Sequence, residues 1–310
     1  MKSIRFIDFW KTSERVQALF FKPLFEQVYG EKIEIISESK KKVDLEIYSV
    51  FPPKRGILTK ALTHYGVLNP REVDWFTINP RSNAEHKIWF TGENIHPPLH
   101  LDFDAFLSFD SQGVDARNIY MPLWVLNLDW FGIKNAHGFA GLNPTLTELL
   151  SPRSVGDENL LQKKFCVSFI GNPENTRLSA IKFLSTKGQV DLFGRINGTH
   201  VKNKIDVGSG YKFILAFENT PVSGYVTEKL LEAHLTGAIP IYWGLDVHEY
   251  FNENAYINFN KFENLGDLAD YVGEVGNDGE IMQNFLSQPI MKKPFPMSEI
   301  VNKLRHALYV

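Results

Sequence analysis

The 310-residue chain contains one cysteine, Cys166, so no internal disulfide can form and cysteine usage gives no sign of an oxidising compartment. No apolar run approaches the ~18 residues that a membrane-spanning helix needs. Residues 1–16 mix charges among their apolar positions and lack the apolar core of a secretory signal. Neither sign of charge dominates: 33 Lys plus Arg face 36 Asp plus Glu, for a formal net charge of −3. That balance excludes a bulk electrostatic footprint for nucleic acid or anionic lipid and leaves room only for a local basic pocket. A Gly-rich dinucleotide fingerprint, a P-loop, internal repeats and low-complexity tracts are all missing. These absences lead to the expectation of a cytoplasmic protein with no membrane span.

Aromatic residues, in contrast, are plentiful: 24 Phe, 11 Tyr and 6 Trp. Such rings fill a core or line a sugar or base site, and composition does not choose between the two. The length suits roughly two domains of about 150 residues each. The pattern along the chain is α/β. Short segments at residues 4–9, 87–91 and 105–109 read as strands, residues 43–50 alternate as a strand should, and residues 13–28 have helical spacing with Val16, Leu19, Phe20 and Leu24 on one face. An irregular stretch near residues 142–159 reads as a linker. A second α/β pattern follows, with strands at 165–170, 190–194, 213–217 and 239–243 and helices at 176–185 and 228–235, the latter capped by Thr227 and stopped by Gly237. Alternation of this kind predicts two mostly parallel sheets with a cleft between them and ligands at the carboxyl ends of the strands. The expected divisions are residues 1–152, 153–292 and a C-terminal helix within 293–310 that packs back across the first domain.

Residues 211–229 carry the most chemistry. A buried strand delivers Glu218 and Asn219 to its carboxyl end, and a short loop holding Gly224 and Tyr225 leads into Thr227, Glu228 and Lys229 at a helix start. Free helix N–H groups with a lysine beside them suit a phosphate oxygen. A neighbouring acid suits sugar hydroxyls. An ordinary capped helix has the same Thr-Glu start, so the segment by itself leaves structure and ligand binding both open.

Phe217-Glu218-Asn219, Gly224-Tyr225-Val226-Thr227-Glu228-Lys229 and Ala238-Ile239-Pro240-Ile241-Tyr242-Trp243-Gly244 together resemble the signature of the α-1,3/1,4-fucosyltransferases, glycosyltransferase family 10. Phe90-Thr91-Gly92-Glu93-Asn94 resembles a segment of the bacterial members. Gly171-Asn172-Pro173 followed by Thr176-Arg177 resembles the loop that brings an arginine to the donor diphosphate. The resemblance implies a GT-B fold, two Rossmann-like domains facing across a cleft, with GDP-fucose as the donor and an inverting reaction. By motif, Glu93 becomes the general base. Arg177 and Lys229 become diphosphate contacts, with Arg195 a rival for that role. Asn219, Tyr225 and Glu228 become contacts to the nucleotide sugar, Glu228 meeting hydroxyls on the fucose or ribose near the reacting centre.

The same resemblance implies an N-acetyllactosamine-like glycan acceptor, a Lewis-type product on lipopolysaccharide, and a location in the cytoplasm or peripheral to the inner membrane. It leaves open another nucleotide sugar or a silent glycan-binding relative. No cofactor is required on this reading, and a divalent metal stimulates at most. Asp102-Phe103-Asp104, and His96 with His100, form no metal set, and Asn197-Gly198-Thr199 signifies little without a secretory route. Trp10, Trp124 and Trp130 are candidates for stacking on a sugar or for the core, and the loops near residues 9–10 and 118–138 are expected to choose the acceptor. Members with a membrane anchor or heptad repeats and a basic tail differ from this sequence, so docking through such a tail is not expected.

Overall fold

A computed structural model describes residues 1–38, 41–51, 82, 84–110, 113, 115–133, 143–155, 159–171, 173–199, 201–245 and 247–310. Parts of the sequence reading fall outside these residues: Asn172, the 134–138 end of the acceptor loop, and residues 142 and 156–158 of the linker. The chain forms two compact units, Met1–Pro122 with Pro296–Val310, and Leu123–Phe295.

In the first unit, β1 (Lys2–Ile7), β2 (Ile33–Ile35), β3 (Val43–Tyr48), β4 (Ala84–Phe90), β5 (Ala105–Ser108) and β6 (Asn118–Tyr120) form one sheet in the order β2-β1-β3-β4-β5-β6. Every pairing is parallel, with Ile4 opposite both Ile35 and Leu45, and Ile47 opposite Ile88. Parallel sheets are covered on both faces, and here β5 is buried throughout and β3 at every residue but Asp44, although β3 alternates apolar and polar positions in sequence. Arg5 and Glu46 form a buried ion pair at 3.0 Å that ties β1 to β3.

Residues 13–28 do form a helical segment, but not one regular helix. A π-helical turn, Gln17–Phe21, separates α1 (Glu14–Val16) from α2 (Lys22–Tyr29). Pro23 has no N–H to bond back along the helix, which favours such a turn just before it. The extra residue rotates the buried stripe to Phe20, Phe21, Leu24, Phe25 and Val28, leaving Val16 and Leu19 only half-buried. At the other end of the unit, α9 (Met297–Ala307) buries Ile300, Val301 and Leu304. Its Arg305 donates to the carbonyls of Val28 (3.1 Å) and Gln27 (2.7 Å), capping the otherwise unsatisfied C-terminus of α2.

The second unit contains α3 (Leu146–Leu150), β7 (Lys164–Ile170), α4 (Asn175–Leu184), β8 (Val190–Gly194), α5 (Lys204–Gly208), β9 (Tyr211–Phe217), α6 (Lys229–Leu235), β10 (Ile239–Trp243), β11 (Ile257–Asn258), α7 (Leu265–Gly276) and α8 (Gly279–Ser287). The sheet order is β11-β10-β9-β7-β8, again all parallel. In chain rank this is the doubly wound order 2-1-3-4-5, whose direction reverses between β7 and β9, the place where such sheets bind ligands. Strand alternation splits β9 between two faces. Phe213, Leu215 and Phe217 enter a core with Ala180 and Leu184 of α4 and Leu268 and Val272 of α7, while Ile214 and Ala216 lie on the opposite face.

The described residues between 123 and 152 pack with the second unit rather than the first. Trp124 is buried, its ring 5.3 Å from those of Phe251 and Phe295, and the Met291 N–H reaches the Leu149 carbonyl at 3.0 Å. The irregular linker text therefore lies within this unit, and the chain passes between units near Pro122, where sequence offers no composition shift. Trp124 is a core residue, and Trp130 donates its indole N–H to the Val125 carbonyl at 2.7 Å.

Candidate functional site

The carboxyl end of β9 carries the site. Glu218 continues β9, its N–H bonded to the Trp243 carbonyl at 2.9 Å, and its side chain is fully buried. Burying a carboxylate is costly unless donors surround it, and here they do. The Thr227 N–H (2.9 Å), the Thr227 hydroxyl (2.8 Å), the Lys229 ammonium (3.0 Å) and the Tyr242 hydroxyl (3.3 Å) all donate to it. The loop reaches this position through Gly224, whose φ of +76° lies in the left-handed region that favours glycine. Thr227 was expected to cap α6. Its hydroxyl is instead spent on Glu218, and the N-cap position falls to Glu228, which makes no side-chain cap bond.

Arg177 stands in the first turn of α4, whose N-terminus is capped by the Glu174 carboxylate through the Thr176 and Arg177 N–H groups. Its guanidinium is buried and donates to the carbonyls of Phe217 (2.6 Å) and Glu218 (3.3 Å) and to the Asn219 side-chain oxygen (3.2 Å). The arginine thus joins the end of β9 to the start of α4 across the switch point. Gly194 brings Arg195 to the same place. Its φ is +113°, a Cβ there would lie 2.4 Å from the Ile170 carbonyl oxygen, and the Arg195 N–H bonds that same carbonyl at 3.0 Å.

These groups border a cavity of about 320 Å³ between α5, α6 and the exposed face of β7 and β9. Arg177, Asn219, Glu228 and Lys229 line it, as does Arg195. Two further lining residues, Lys204 and Glu232, escaped the sequence reading. They form an ion pair at 2.7 Å. Glu232 sits one helical turn beyond Glu228, a spacing that puts both on one face of α6, and that spacing was the only signal for it. Tyr225, expected at the donor, is buried and does not line the cavity.

The electrostatics follow from burial and pairing. Burial works against the Lys229 charge, but Glu228 and Glu218 outweigh it and hold the ammonium above its ordinary value. Burial raises Glu218 above the ordinary carboxylate range, with Lys229 opposing. Glu228 is likewise opposed by burial, yet Lys229 and Lys204 bring it below that range. Four cationic side chains on the wall (Arg177, Arg195, Lys204 and Lys229) face two carboxylates, Glu228 and Glu232. A multiply charged anion fits this balance.

Glu93 lies in the first unit, three residues beyond the end of β4, with its carbonyl accepting from the Ile95 N–H at 2.7 Å. Gly92 precedes it where a Cβ would press to 3.0 Å against both Phe51 and the Ser49 hydroxyl. The Glu93 side chain is exposed. The Asp-x-Asp pair is structural: Asp104 accepts from the Lys87 N–H at 2.7 Å and Asp102 meets the Lys87 ammonium at 3.4 Å. His96 contacts Asp110 at 2.7 Å. Among the described residues no group of three or more His, Cys, Asp or Glu is placed to hold a metal, and no helix is long and apolar enough to cross a membrane. Cys166 is fully buried, which pushes its thiol up to about 12.

Residues 162–291 match the family model for Glycosyltransferase family 10 (fucosyltransferase) C-term. The chain is 31% identical over 212 residues to Alpha-(1,3)-fucosyltransferase FucT of Helicobacter pylori, covering 60% of this chain and 43% of that protein. It is 31% identical over 121 residues to the 4-galactosyl-N-acetylglucosaminide 3-alpha-L-fucosyltransferase 9 of Mus musculus, covering 37% of this chain and 34% of that one. The match thus spans less than half the length of these curated relatives. A crystal structure of an alpha1,3-fucosyltransferase superposes with a TM-score of 0.70 at 21% identity, covering 100% of this chain and 90% of that one. The same enzyme with GDP-fucose gives 0.69 over the same shares and at the same identity. At that identity the likeness shows the fold, which is GT-B. The sequence match bears out the resemblance to fucosyltransferases read from the motifs.

Proposed function

With a family 10 fucosyltransferase C-terminal domain at residues 162–291 as the premise, we propose that the protein transfers L-fucose from GDP-fucose to a hydroxyl of an N-acetyllactosamine-type glycan, with inversion. One observation carries this reading: Arg177, Asn219, Glu228 and Lys229, each picked out by motif, converge on one cavity at the sheet's switch point. The second unit is the donor unit and the first the acceptor unit, with residues 297–307 completing the latter.

An inverting transfer is a single in-line displacement. Glu93 takes the proton of the acceptor hydroxyl as that oxygen attacks the anomeric carbon. The bond to the GDP oxygen breaks, and the departing diphosphate gains charge. Arg177 and Lys229, already fixed by Asn219, backbone carbonyls and Glu218, stabilise that charge without reorganising. Glu228 and Asn219 hold hydroxyls of the nucleotide sugar. Because Glu93 is exposed in its own unit, the burial that raises its proton affinity has to come from bound acceptor. Positive side chains neutralise the diphosphate, so a divalent ion stimulates at most. On this reading the product is a Lewis-type structure on lipopolysaccharide, made in the cytoplasm or at the periphery of the inner membrane.

The test is a mass-spectrometric assay with GDP-fucose against type I and type II lactosamine acceptors. GDP and GDP-fucose raise the melting temperature and UDP sugars do not. Glu93→Gln abolishes transfer and keeps the GDP shift. Transfer from a UDP sugar, no transfer to any fucose acceptor, or normal turnover by Glu93→Gln would each overturn the assignment it addresses.

A further inference from the structure

Among the described residues that line the cavity, Glu232 has a buried side-chain oxygen left without a hydrogen-bond partner. Its side chain is nine-tenths buried and lines the cavity. One carboxylate oxygen takes the Lys204 ammonium at 2.7 Å, while the other, Oε1, is buried with no hydrogen-bond partner among the described residues. A buried acceptor without a donor is costly, and such groups in native structures call for a missing partner. The apolar part of the same cavity's lining includes Ile214, Ala216 and Ala233. Glu232 lies about one helical turn, roughly 5.4 Å, along α6 from Lys229 and Glu228.

Resting on the proposed function, we infer that the Lys204–Glu232 pair reads the base of the donor nucleotide and selects guanine. A carboxylate accepts only and an ammonium donates only. Guanine presents an acceptor, O6, beside a donor, N1–H, with a second donor on the adjacent 2-amino group. Lys204 meets O6, and Glu232 Oε1 takes the N–H groups that it lacks. Adenine at the same position offers an amino donor where guanine has O6 and an acceptor at N1, so donor faces donor and acceptor faces acceptor. Ala216 and Ala233, both small, line the same cavity.

The experiment measures binding of GDP, IDP, ADP and inorganic pyrophosphate to the full chain and to Glu232→Gln by calorimetry at pH 8. Wild type is expected to hold GDP and IDP roughly 10- to 100-fold tighter than ADP, in line with one or two mismatched hydrogen bonds. Glu232→Gln, whose amide presents either an oxygen or an NH₂, is expected to bring GDP and ADP within about threefold, with pyrophosphate affinity unchanged. Lys204→Met should cut the preference in the same direction. A GDP-over-ADP ratio that survives Glu232→Gln refutes the inference, and so does a wild type that binds pyrophosphate with no purine preference. Fucosyl transfer decides the functional reading separately: transfer by wild type alongside an unaltered ratio in the variant sinks only the inference. A guanine preference lost in the variant, with no transfer to any acceptor, sinks only the function.

Discussion

Glu218 is the residue on which the geometry of the cationic wall depends, and its removal gives a sharp test. Glu218→Ala leaves the Thr227 N–H, the Thr227 hydroxyl and the Tyr242 hydroxyl buried without their acceptor and the Lys229 ammonium without its 3.0 Å partner. Stranded buried donors cost about 1–3 kcal/mol each, and breaking a buried pair from one side costs about 3–5 kcal/mol. The Lys229 side chain retains 23% exposure and can recruit water, so the total should fall near 3–5 kcal/mol rather than at the sum. A unit of this size loses roughly 2–4 °C per kcal/mol, which predicts a melting point lower by about 6–20 °C. Glu218→Gln isolates the charge: with the amide oxygen on the Thr227 N–H side, its NH₂ confronts the Lys229 ammonium. A double-mutant cycle of Glu218→Gln with Lys229→Met, read by urea unfolding, should give a coupling of about 1.5–3 kcal/mol. A coupling below about 0.5 kcal/mol, or a Glu218→Ala variant as stable as wild type, would show that the carboxylate organises nothing.

Three further outcomes follow from the geometry. His234 is buried, and burial, with Arg153 adding to it, brings its imidazole down to about 3. The unfolded chain therefore binds a proton that the folded one does not, so stability should fall by up to about 1.4 kcal/mol per unit as pH drops from ~6.5 towards 3. His234→Gln should flatten that slope in acid titrations of unfolding, and an unchanged slope would acquit the histidine. Gly194→Ala puts a Cβ against the Ile170 carbonyl at a positive φ, and denaturant melts should show a loss above about 2 kcal/mol, whereas a loss below 0.5 would mean that the turn adapts freely. Arg305→Ala uncaps α2 and should cost about 1 kcal/mol, with faster amide exchange near Gln27 and Val28 as the local readout; unchanged exchange there would deny the cap.

Legibility varied with the range of the interaction involved. The strands at 164–170 and 239–243 stood out because a sheet covered on both faces demands apolar runs, and that at 43–48 because apolar and polar residues alternate along it. The helical stretch at residues 13–28 was visible as a period, but its buried stripe was not, since Pro23 shifts the register by one residue and only packing reveals which side wins. Thr227 was misread because a hydroxyl before a helix has a local use as a cap and a non-local use at Glu218, nine residues away in sequence and adjacent in space. The burial of Tyr225 was not legible for a related reason: its position in the motif does not say which way the Gly224 turn points the ring.

The sequence by itself determined the two α/β patterns, the switch-point loop between Phe217 and Lys229 and the identities of the charged groups, because these depend on neighbours within a few residues and on period. Only the tertiary structure decided that Glu218 is buried as the anchor of Lys229, that Lys204 and Glu232 pair across 28 residues of chain, and that the described residues between 123 and 152 pack with the second unit. Burial and ion pairing depend on which elements come to lie side by side. That is a property of the whole chain's packing, and no local stretch of residues encodes it.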